Sequence, residues 1–349
     1  MRTKSLSAAA LMLVLSAGCA HVPPSNMTKD RFDYAEAVAE SWKRQTLLNV
    51  VHIRYADAPV FLDLTSVINT YTRSNTLNAS ATVPESPGAN SVGAGASGTW
   101  SNSPTVTYQP VTGDRFARQL LRPIPPASLL QMMEAGWPAQ LLFPVAVRSV
   151  NGITGQTGGR QAEPDFDRLV QALTAIQSSE GIGFRVSSAK PGEPVLLVIS
   201  REDRSAAVRE QAETVRKLLG LEPGVSELEV AFGSVPRSKH ELAMVTRSMV
   251  EIMLELGTGI DVPAAHMEDK RVLPMRGLET GPKATPLIHI LSGKKAPSDA
   301  YAAIHYRDYD FWIDDRDVPS KRLFTFLMIL FSLAESGQPS AAPLLTISK

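Results

Sequence analysis

The sequence contains one cysteine, Cys19, among 349 residues. A single thiol excludes an internal disulfide and any zinc site built from several cysteines. The sequence also lacks a G-x-S-x-G nucleophile motif, a phosphate loop ending in GK[ST] and an H-E-x-x-H zinc motif. Its apolar runs stay below the roughly 20 residues that a helix needs to span a bilayer. No motif of catalytic quality is therefore available to assign an activity.

The N-terminus carries an export signal. Arg2 and Lys4 precede an apolar run at 6–15, and the small residues at 16–18 end directly before Cys19. This pattern resembles the signal peptides of bacterial lipoproteins, and the resemblance covers residues 1–20 only. It implies cleavage before Cys19 and lipidation of that cysteine, so that membrane lipid is a partner of the chain.

The residue that follows the cysteine indicates which membrane holds the protein. In the resembled family an aspartate at this place commonly retains the protein at the inner membrane, whereas Ala20 stands here. The resemblance therefore implies the outer membrane of a bacterium, with the protein facing the periplasm. Without lipidation, Cys19 would instead be a free reactive thiol or form an intermolecular bridge.

The length and charge of the chain bear on its number of domains and on its class of partner. Removing 1–18 leaves 349 − 18 = 331 residues, enough for two or three domains, and 44% of the chain is apolar, so we expect a packed core. The chain has 35 basic and 35 acidic residues, and the signal contains two of the basic ones. The mature charge is then 33 − 35 = −2, and this balance excludes the clustered basic face of a nucleic-acid-binding protein.

One segment differs in composition from its surroundings. Between Arg73 and Asp114 the only charged residue is Glu85. Apolar and polar residues alternate over 75–83 and again from 92 to 100, with a Pro/Gly-rich turn between them. Two alternating strands of about nine residues have the length of a transmembrane β-hairpin. The alternatives are a mobile low-complexity loop or a hairpin packed in the periplasm.

Periodicity elsewhere predicts an α+β (mixed α/β) fold, with a helical N-terminal part followed by a sheet-containing C-terminal part with antiparallel strands. We expect a helix from about residue 30, then a strand at 50–55 and either a strand or a short helix at 60–72. Ser238 and Glu241 have the spacing of a capping box and predict a helix up to Gly257. Strands are expected at 286–291, 300–306 and 310–314, before a buried apolar helix from about residue 323.

Composition also predicts the domain boundaries, because Pro/Gly-rich stretches separate the periodic segments. The predicted parts are a signal peptide (1–18), a lipidated cysteine and tether (19–30), a helix-rich N-terminal domain (31–150) with a hairpin or loop at 73–110, a linker (151–163) and an α/β C-terminal domain (164–349).

The most polar group of residues lies near the C-terminus. Asp314, Asp315 and Asp317 follow a predicted strand, and His289 and His305 are expected on strands beside them. Such residues can act as acids and bases, but an aspartate before a helix more often caps it, and single imidazoles on strands are usually structural. We therefore predict no catalytic residues here, no metal and no cofactor.

These observations favour a non-catalytic, lipid-anchored envelope protein that acts in assembly, as a scaffold or in transport. Within that class, the alternation over 75–107 favours an oligomeric outer-membrane pore subunit, because a single hairpin needs identical neighbours to pair its edges. The expected partners are other copies of the chain and envelope proteins. The alternative is an envelope hydrolase that uses the Asp/His group at 305–317.

Overall fold

The computed structural model describes residues 24–82, 91–179, 182–186, 195–199, 205–272 and 284–335. The fold class is α+β, as predicted, with helices mainly in the N-terminal half and strands toward the C-terminus. The strands of these residues form one two-stranded, one three-stranded and one six-stranded sheet. Cys19 and the signal peptide lie outside the described residues.

The first helix, α1, runs from Pro24 to Arg54 and so begins within the predicted tether. The predicted strand at 50–55 is wrong, because the helix continues through it. Leu47, Val50 and Val51 are fully buried and recur at helical spacing, so they form the face that packs on the core. This burial outweighs the preference of β-branched residues for strands.

A long antiparallel hairpin follows α1. Strand β1 spans Leu62–Thr82 and strand β2 spans Ser91–Pro110, with twenty directly paired positions. At roughly 3.3 Å per residue the hairpin extends about 65 Å. The backbone is therefore a hairpin rather than a loop, and each strand is about twice as long as the nine residues expected.

Short helical segments lead from the hairpin into the larger sheet. They are α2 (Gly113–Phe116), a π-helical turn (Ala117–Leu121), α3 (Pro126–Glu134) and α4 (Ala139–Ala146). The strands of the sheet are β3 (Val147–Val150), β4 (Ile153–Thr154), β5 (Ile182–Val186), β6 (Val195–Ile199), β7 (Glu227–Phe232) and β8 (Glu241–Thr246).

The six strands have the order β4-β3-β8-β7-β6-β5, and only the β7/β8 pair is parallel. Helices α5 (Pro164–Ser178) and α6 (Ala206–Leu218) pack against each other beside it. The sheet combines strands from both sides of the predicted linker 151–163. The division into domains stays a prediction.

The predicted capping box is wrong in position. Helix α7 spans Met249–Gly257, and its capping box consists of Ser248 and Glu251, ten residues beyond the predicted pair. Residues 241–246 form β8 instead, because this strand pairs with β3 on one side and β7 on the other. A fully paired, buried strand gains more from the core than a solvent-exposed first helical turn would.

The C-terminal part contains a small antiparallel sheet. Helix α8 (Ala264–Glu268) precedes β9 (Leu291–Gly293), β10 (Ala302–Tyr306) and β11 (Tyr309–Ile313), which are arranged in the order β10-β11-β9. The predicted antiparallel arrangement is confirmed, although the predicted strand at 286–291 begins only at its last residue. The last described helix, α9 (Val318–Glu335), buries Phe324, Phe326 and Leu327 completely, as expected of a core helix.

Within the described parts of the chain, each helix is too short or too polar to cross a membrane.

Candidate functional site

The base of the hairpin is held to the C-terminal third of α1 by side-chain hydrogen bonds. The Val60 N–H donates to Asn49 Oδ1 at 2.9 Å, and the Val60 carbonyl accepts from Asn49 Nδ2 at 2.9 Å and from Gln45 Nε2 at 3.0 Å. Asn49 is only 2% exposed. Because a buried amide that lost these bonds would remain unsatisfied, the start of β1 is strongly constrained.

Successive contacts also define the direction in which the hairpin leaves the body. Ala58 lies beside His52, with its carbonyl 3.3 Å from Nδ1. Val60 lies beside residues one and two turns earlier in the helix, and Leu62 lines a small pocket together with Trp42. As the chain advances from 58 to 60, its hydrogen-bond partners in α1 move back from 52 to 49 and 45. The hairpin therefore starts antiparallel to α1 and heads toward the N-terminal end of that helix.

The end of the second strand is held at the same base of the hairpin. The Val111 N–H donates to the Phe61 carbonyl at 2.9 Å, and the guanidinium of Arg115 forms an ion pair with Asp63. The Phe61 ring lies 6.0 Å from that of Phe331 in α9. Both strands thus enter a packed part of the body, and the hairpin has a rigid base.

Paired residues of the hairpin share a face, because opposite positions in antiparallel strands project to the same side. One face, here called the apolar face, carries mostly apolar residues at both ends of the hairpin. In the middle of this face, four pairs contain at least one polar residue or glycine, among them Tyr71–Asn102 and Arg73–Trp100. The apolar pairs are Leu62–Pro110, Leu64–Tyr108, Val67–Val106, Leu77–Ala96, Ala79–Ala94 and Ala81–Val92.

The opposite face, here called the polar face, carries hydroxyl and amide residues and glycine. Ile68 is its one large apolar residue, and Asp63 at the base is its one charged residue. Its other pairs are Ser66–Thr107, Thr70–Ser103, Thr72–Ser101, Ser74–Thr99, Thr76–Ser97, Asn78–Gly95, Ser80–Gly93 and Thr82–Ser91. The alternation was predicted for each strand separately, and the register places the apolar positions of both strands on the same face of the hairpin.

A β-bulge keeps these faces continuous. In the sequence, the apolar residues of β1 stand at even positions up to Leu64 and, apart from Ile68, at odd positions from Val67 onward. The pairing shifts between Leu64 and Ser66, so Thr65 is accommodated as an extra residue. A bulge of this kind absorbs one residue without a partner. The apolar face therefore stays on one side of the hairpin through the change of phase.

Near the base, where side chains are described, the apolar face is partly exposed to solvent. The exposed fractions of the five large side chains there lie between 37% and 46%. These side chains are Leu62, Leu64, Val67, Val106 and Tyr108. A contiguous exposed apolar surface of this kind indicates contact with a membrane or another protein.

The structure brings together only part of the predicted Asp/His group. Asp317 caps α9, because its carboxylate accepts from the Ser320 N–H at 3.1 Å and from the Ser320 hydroxyl at 2.7 Å. His289 Nδ1 lies 3.2 Å from the same carboxylate. Burial raises the pKa of Asp317, but these hydrogen bonds outweigh it, and the pKa lies below its usual value.

A serine, a histidine and an aspartate therefore lie close together here, but their hydrogen bonds are not those of an activated nucleophile. The Ser320 hydroxyl donates to Asp317 and accepts from the backbone N–H of His289 at 2.9 Å, and neither of these bonds involves the imidazole. Ser320 is also only 2% exposed. This arrangement stabilises the start of a helix and does not activate a hydroxyl.

The other predicted residues have separate partners. His305 Nδ1 lies 2.7 Å from the Asp310 carboxylate, Asp315 pairs with Lys321 at 2.5 Å, and Asp314 accepts from a backbone N–H at 2.8 Å. Within the described residues, no group of three or more His, Cys, Asp or Glu side chains is arranged to hold a metal ion.

One titratable cluster was missed by sequence reasoning. Tyr55, at the end of α1, lies 2.7 Å from His266 Nδ1 in α8, and Arg307 lies 5.3 Å from the centre of the Tyr55 ring. Burial raises the pKa of Tyr55 to about 12 and lowers the pKa of His266. His266 and Arg307 follow Tyr55 by 211 and 252 positions in the sequence. The three residues share no motif, so only the tertiary structure shows the cluster.

The glycine spacing of a dinucleotide-binding motif occurs at Gly93, Gly95 and Gly98. All three residues lie inside β2, whereas the motif requires a turn from a strand into a helix. The glycines therefore belong to the hairpin.

Comparison of the chain with protein-family models, curated proteins and solved structures gives no match.

Proposed function

We propose that this chain is a non-catalytic, lipid-anchored protein of the outer membrane whose hairpins assemble, subunit by subunit, into a closed ring of strands that forms a pore. The observation that carries the proposal is the hairpin itself, with one apolar and one polar face in register along both strands. A strand that separates lipid from an aqueous interior needs this alternation.

The direction of the hairpin supports the proposal. It leaves the body toward the N-terminal end of α1, and that end continues through a few residues to Cys19. A lipidated Cys19 would hold that side of the protein against the membrane. The anchor and the hairpin therefore reach the same bilayer.

The lengths of the two elements are also compatible with this arrangement. From Trp42 to Pro24, α1 extends about 27 Å at roughly 1.5 Å per residue. The hairpin extends about 65 Å from Leu62. If both continue in their initial directions, the hairpin projects about 40 Å beyond the start of the helix, close to the thickness of a bilayer with its headgroups.

The outer half of the hairpin has the length of one membrane crossing. Ten consecutive pairs run from Arg73–Trp100 to Thr82–Ser91. A transmembrane strand needs roughly 9–11 residues, and aromatic residues commonly mark the membrane surface. Tyr71 and Trp100 stand on the apolar face at the inner boundary of this segment. The stretch from 62 to 72 would then connect the body to the membrane.

The open edges of the hairpin favour a second copy of the chain as the neighbour. Among the described residues, the hairpin forms a sheet of two strands, and one edge of each strand has no partner strand there. Long edges without charge readily pair with other strands, and a lone hairpin is marginally stable. Since β1 of one subunit can pair with β2 of the next, this contact repeats from head to tail and closes into a ring.

Two neighbouring substitutions test the proposal. Leu77 lies on the apolar face and Asn78 on the polar face. Leu77→Lys should abolish membrane insertion, because a lysine facing lipid near the midplane costs about 2–4 kcal/mol in each subunit. Asn78→Lys adds the same charge at an adjacent position and should retain assembly.

The measurement is the mass of the lipidated protein extracted in mild detergent, together with its conductance in planar bilayers. We expect a ring and discrete conductance steps for the wild type and Asn78→Lys, and neither for Leu77→Lys. A monomer in all three proteins, or equal behaviour of both variants, would contradict the proposal.

A further inference from the structure

On the basis of the proposed pore, we infer that the part of its interior that crosses the membrane carries no fixed charge and admits polar solutes without selecting them by the sign of their charge. The class of solute is uncharged and hydrogen-bonding, with small ions of either sign passing equally well. The inference rests on which residues the register places on the polar face.

In the ten pairs of the outer half, the register places no charged residue on the polar face, whose one charged residue, Asp63, lies at the base in an ion pair with Arg115. Between Asp63 and Asp114 the sequence has two charged residues, Arg73 and Glu85. Arg73 is paired with Trp100 on the apolar face, at the inner boundary of the membrane segment. Glu85 belongs to 83–90, which lie outside the described residues. The ten pairs of the outer half therefore contribute no charge to the polar face.

In a ring of subunits, the absence of charge on the polar face determines the ion selectivity of the pore. Every residue of the polar face recurs once in each subunit, so a single carboxylate or ammonium group would become a ring of like charges. Such rings control ion selectivity in channels. With none present, the interior keeps its neutrality for any number of subunits, and its hydroxyl and amide groups offer hydrogen bonds that replace those of water.

Ion selectivity tests the inference directly. In a gradient of KCl, the reversal potential of the wild-type pore should lie close to zero, because K⁺ and Cl⁻ have similar mobilities. Thr76 lies in the middle of the membrane segment on the polar face. Thr76→Asp should shift the reversal potential toward that of K⁺, and Thr76→Lys should shift it toward that of Cl⁻.

Access of thiol reagents provides a second measurement. When Cys19 is lipidated, a new cysteine is the only free thiol of the mature chain. Introduced at Thr76 or Ser80 in liposomes, it should react with cationic and anionic methanethiosulfonates at similar relative rates, after correction for their intrinsic reactivities. Introduced at Leu77 or Ala79 on the apolar face, it should be protected.

The outcomes separate the two claims. Discrete conductance with strong selectivity in the wild type, or protected thiols on the polar face and reactive ones on the apolar face, would overturn the neutral interior and leave the pore. Absence of both conductance and protection would overturn the proposed function, and with it this inference. A wild-type reversal potential near zero, with opposite shifts in the two Thr76 variants, would support both.

Discussion

Asp315 and Asp317 are two residues apart, but their carboxylates have different surroundings. Asp317 receives two hydrogen bonds from Ser320 at the start of α9, whereas Asp315 forms an exposed ion pair with Lys321. We expect Asp317→Ala to lower the free energy of unfolding by about 1–2 kcal/mol, because the helix loses its cap. Asp315→Ala should change it by less than about 1 kcal/mol, since exposed ion pairs contribute little.

Denaturant unfolding of both variants provides the measurement for this pair. Equal losses of stability would show that Asp317 does not act as a cap. The hydrolase alternative predicts a different result, namely loss of an activity in an Asp315 variant that still folds.

His266 makes stability depend on pH. Burial lowers its pKa from the ordinary value of 6.5, and the nearby Arg271 and Arg307 lower it further. The unfolded chain therefore binds a proton at this residue at a higher pH than the folded chain does. Stability should be fully present above pH 6.5 and should be lost as the pH falls from there toward the lower folded-state pKa.

The His266→Asn variant isolates this contribution, since an amide does not titrate in this range. The free energy of unfolding should be measured from pH 7.5 to pH 5.0, above the range in which most carboxylates titrate. We expect a shallower slope in the variant than in the wild type. An identical slope would mean that another group is responsible.

At the scale of elements, the bulge in β1 allows a test by deletion. Removing Thr65 takes away the unpaired residue and leaves every remaining residue on its present face. Removing Ser74 shortens the strand equally but moves the residues on one side of the deletion to the opposite face. We expect assembly to survive the first deletion and to fail after the second.

The mass of each lipidated variant in detergent, with circular dichroism as a check on the folded body, measures this difference. Loss of assembly in both deletions would show that assembly requires the bend that the bulge introduces, in addition to the correct assignment of residues to the two faces. Assembly of both would contradict the importance of the two faces.

The elements differ in how far the sequence predicted them. Alternation over 75–83 and 92–100 predicted two strands because its period of two is a local property. It could not predict their extension to about twenty residues, since the inner half changes phase at Thr65 and is regular only after pairing. Similarly, Ser238 and Ser248 both precede a glutamate by three residues, and only the pairing of β8 decides between them.

At the scale of the whole molecule, the proposed lipid at Cys19 and the hairpin should act together. We expect Cys19→Ser to move most of the protein from the membrane fraction to the soluble periplasmic fraction and to reduce assembly, because the hairpin would no longer be held near the bilayer. Fractionation and the detergent-extracted mass measure both effects. Full assembly of Cys19→Ser in the outer membrane would show that the hairpin inserts without the anchor.

The sequence by itself determined the α+β class, the buried last helix and the alternation of the hairpin, whereas the export signal stays a prediction. These properties depend on residues close together in the chain, so their periods and spacings are visible without a structure. It also indicated that Asp317 precedes a helix, which is where the structure shows a cap.

Only the tertiary structure decided which faces of β1 and β2 coincide, where α1 ends and in which direction the hairpin leaves the body. Each depends on contacts between distant residues, such as Asn49 with Val60 and Tyr55 with His266. Propensity favours a strand at 50–55, but burial of Val50 and Val51 against the core makes it helical. Local preferences are worth tenths of a kcal/mol per residue, whereas burial of one large side chain is worth about 1.5–3 kcal/mol.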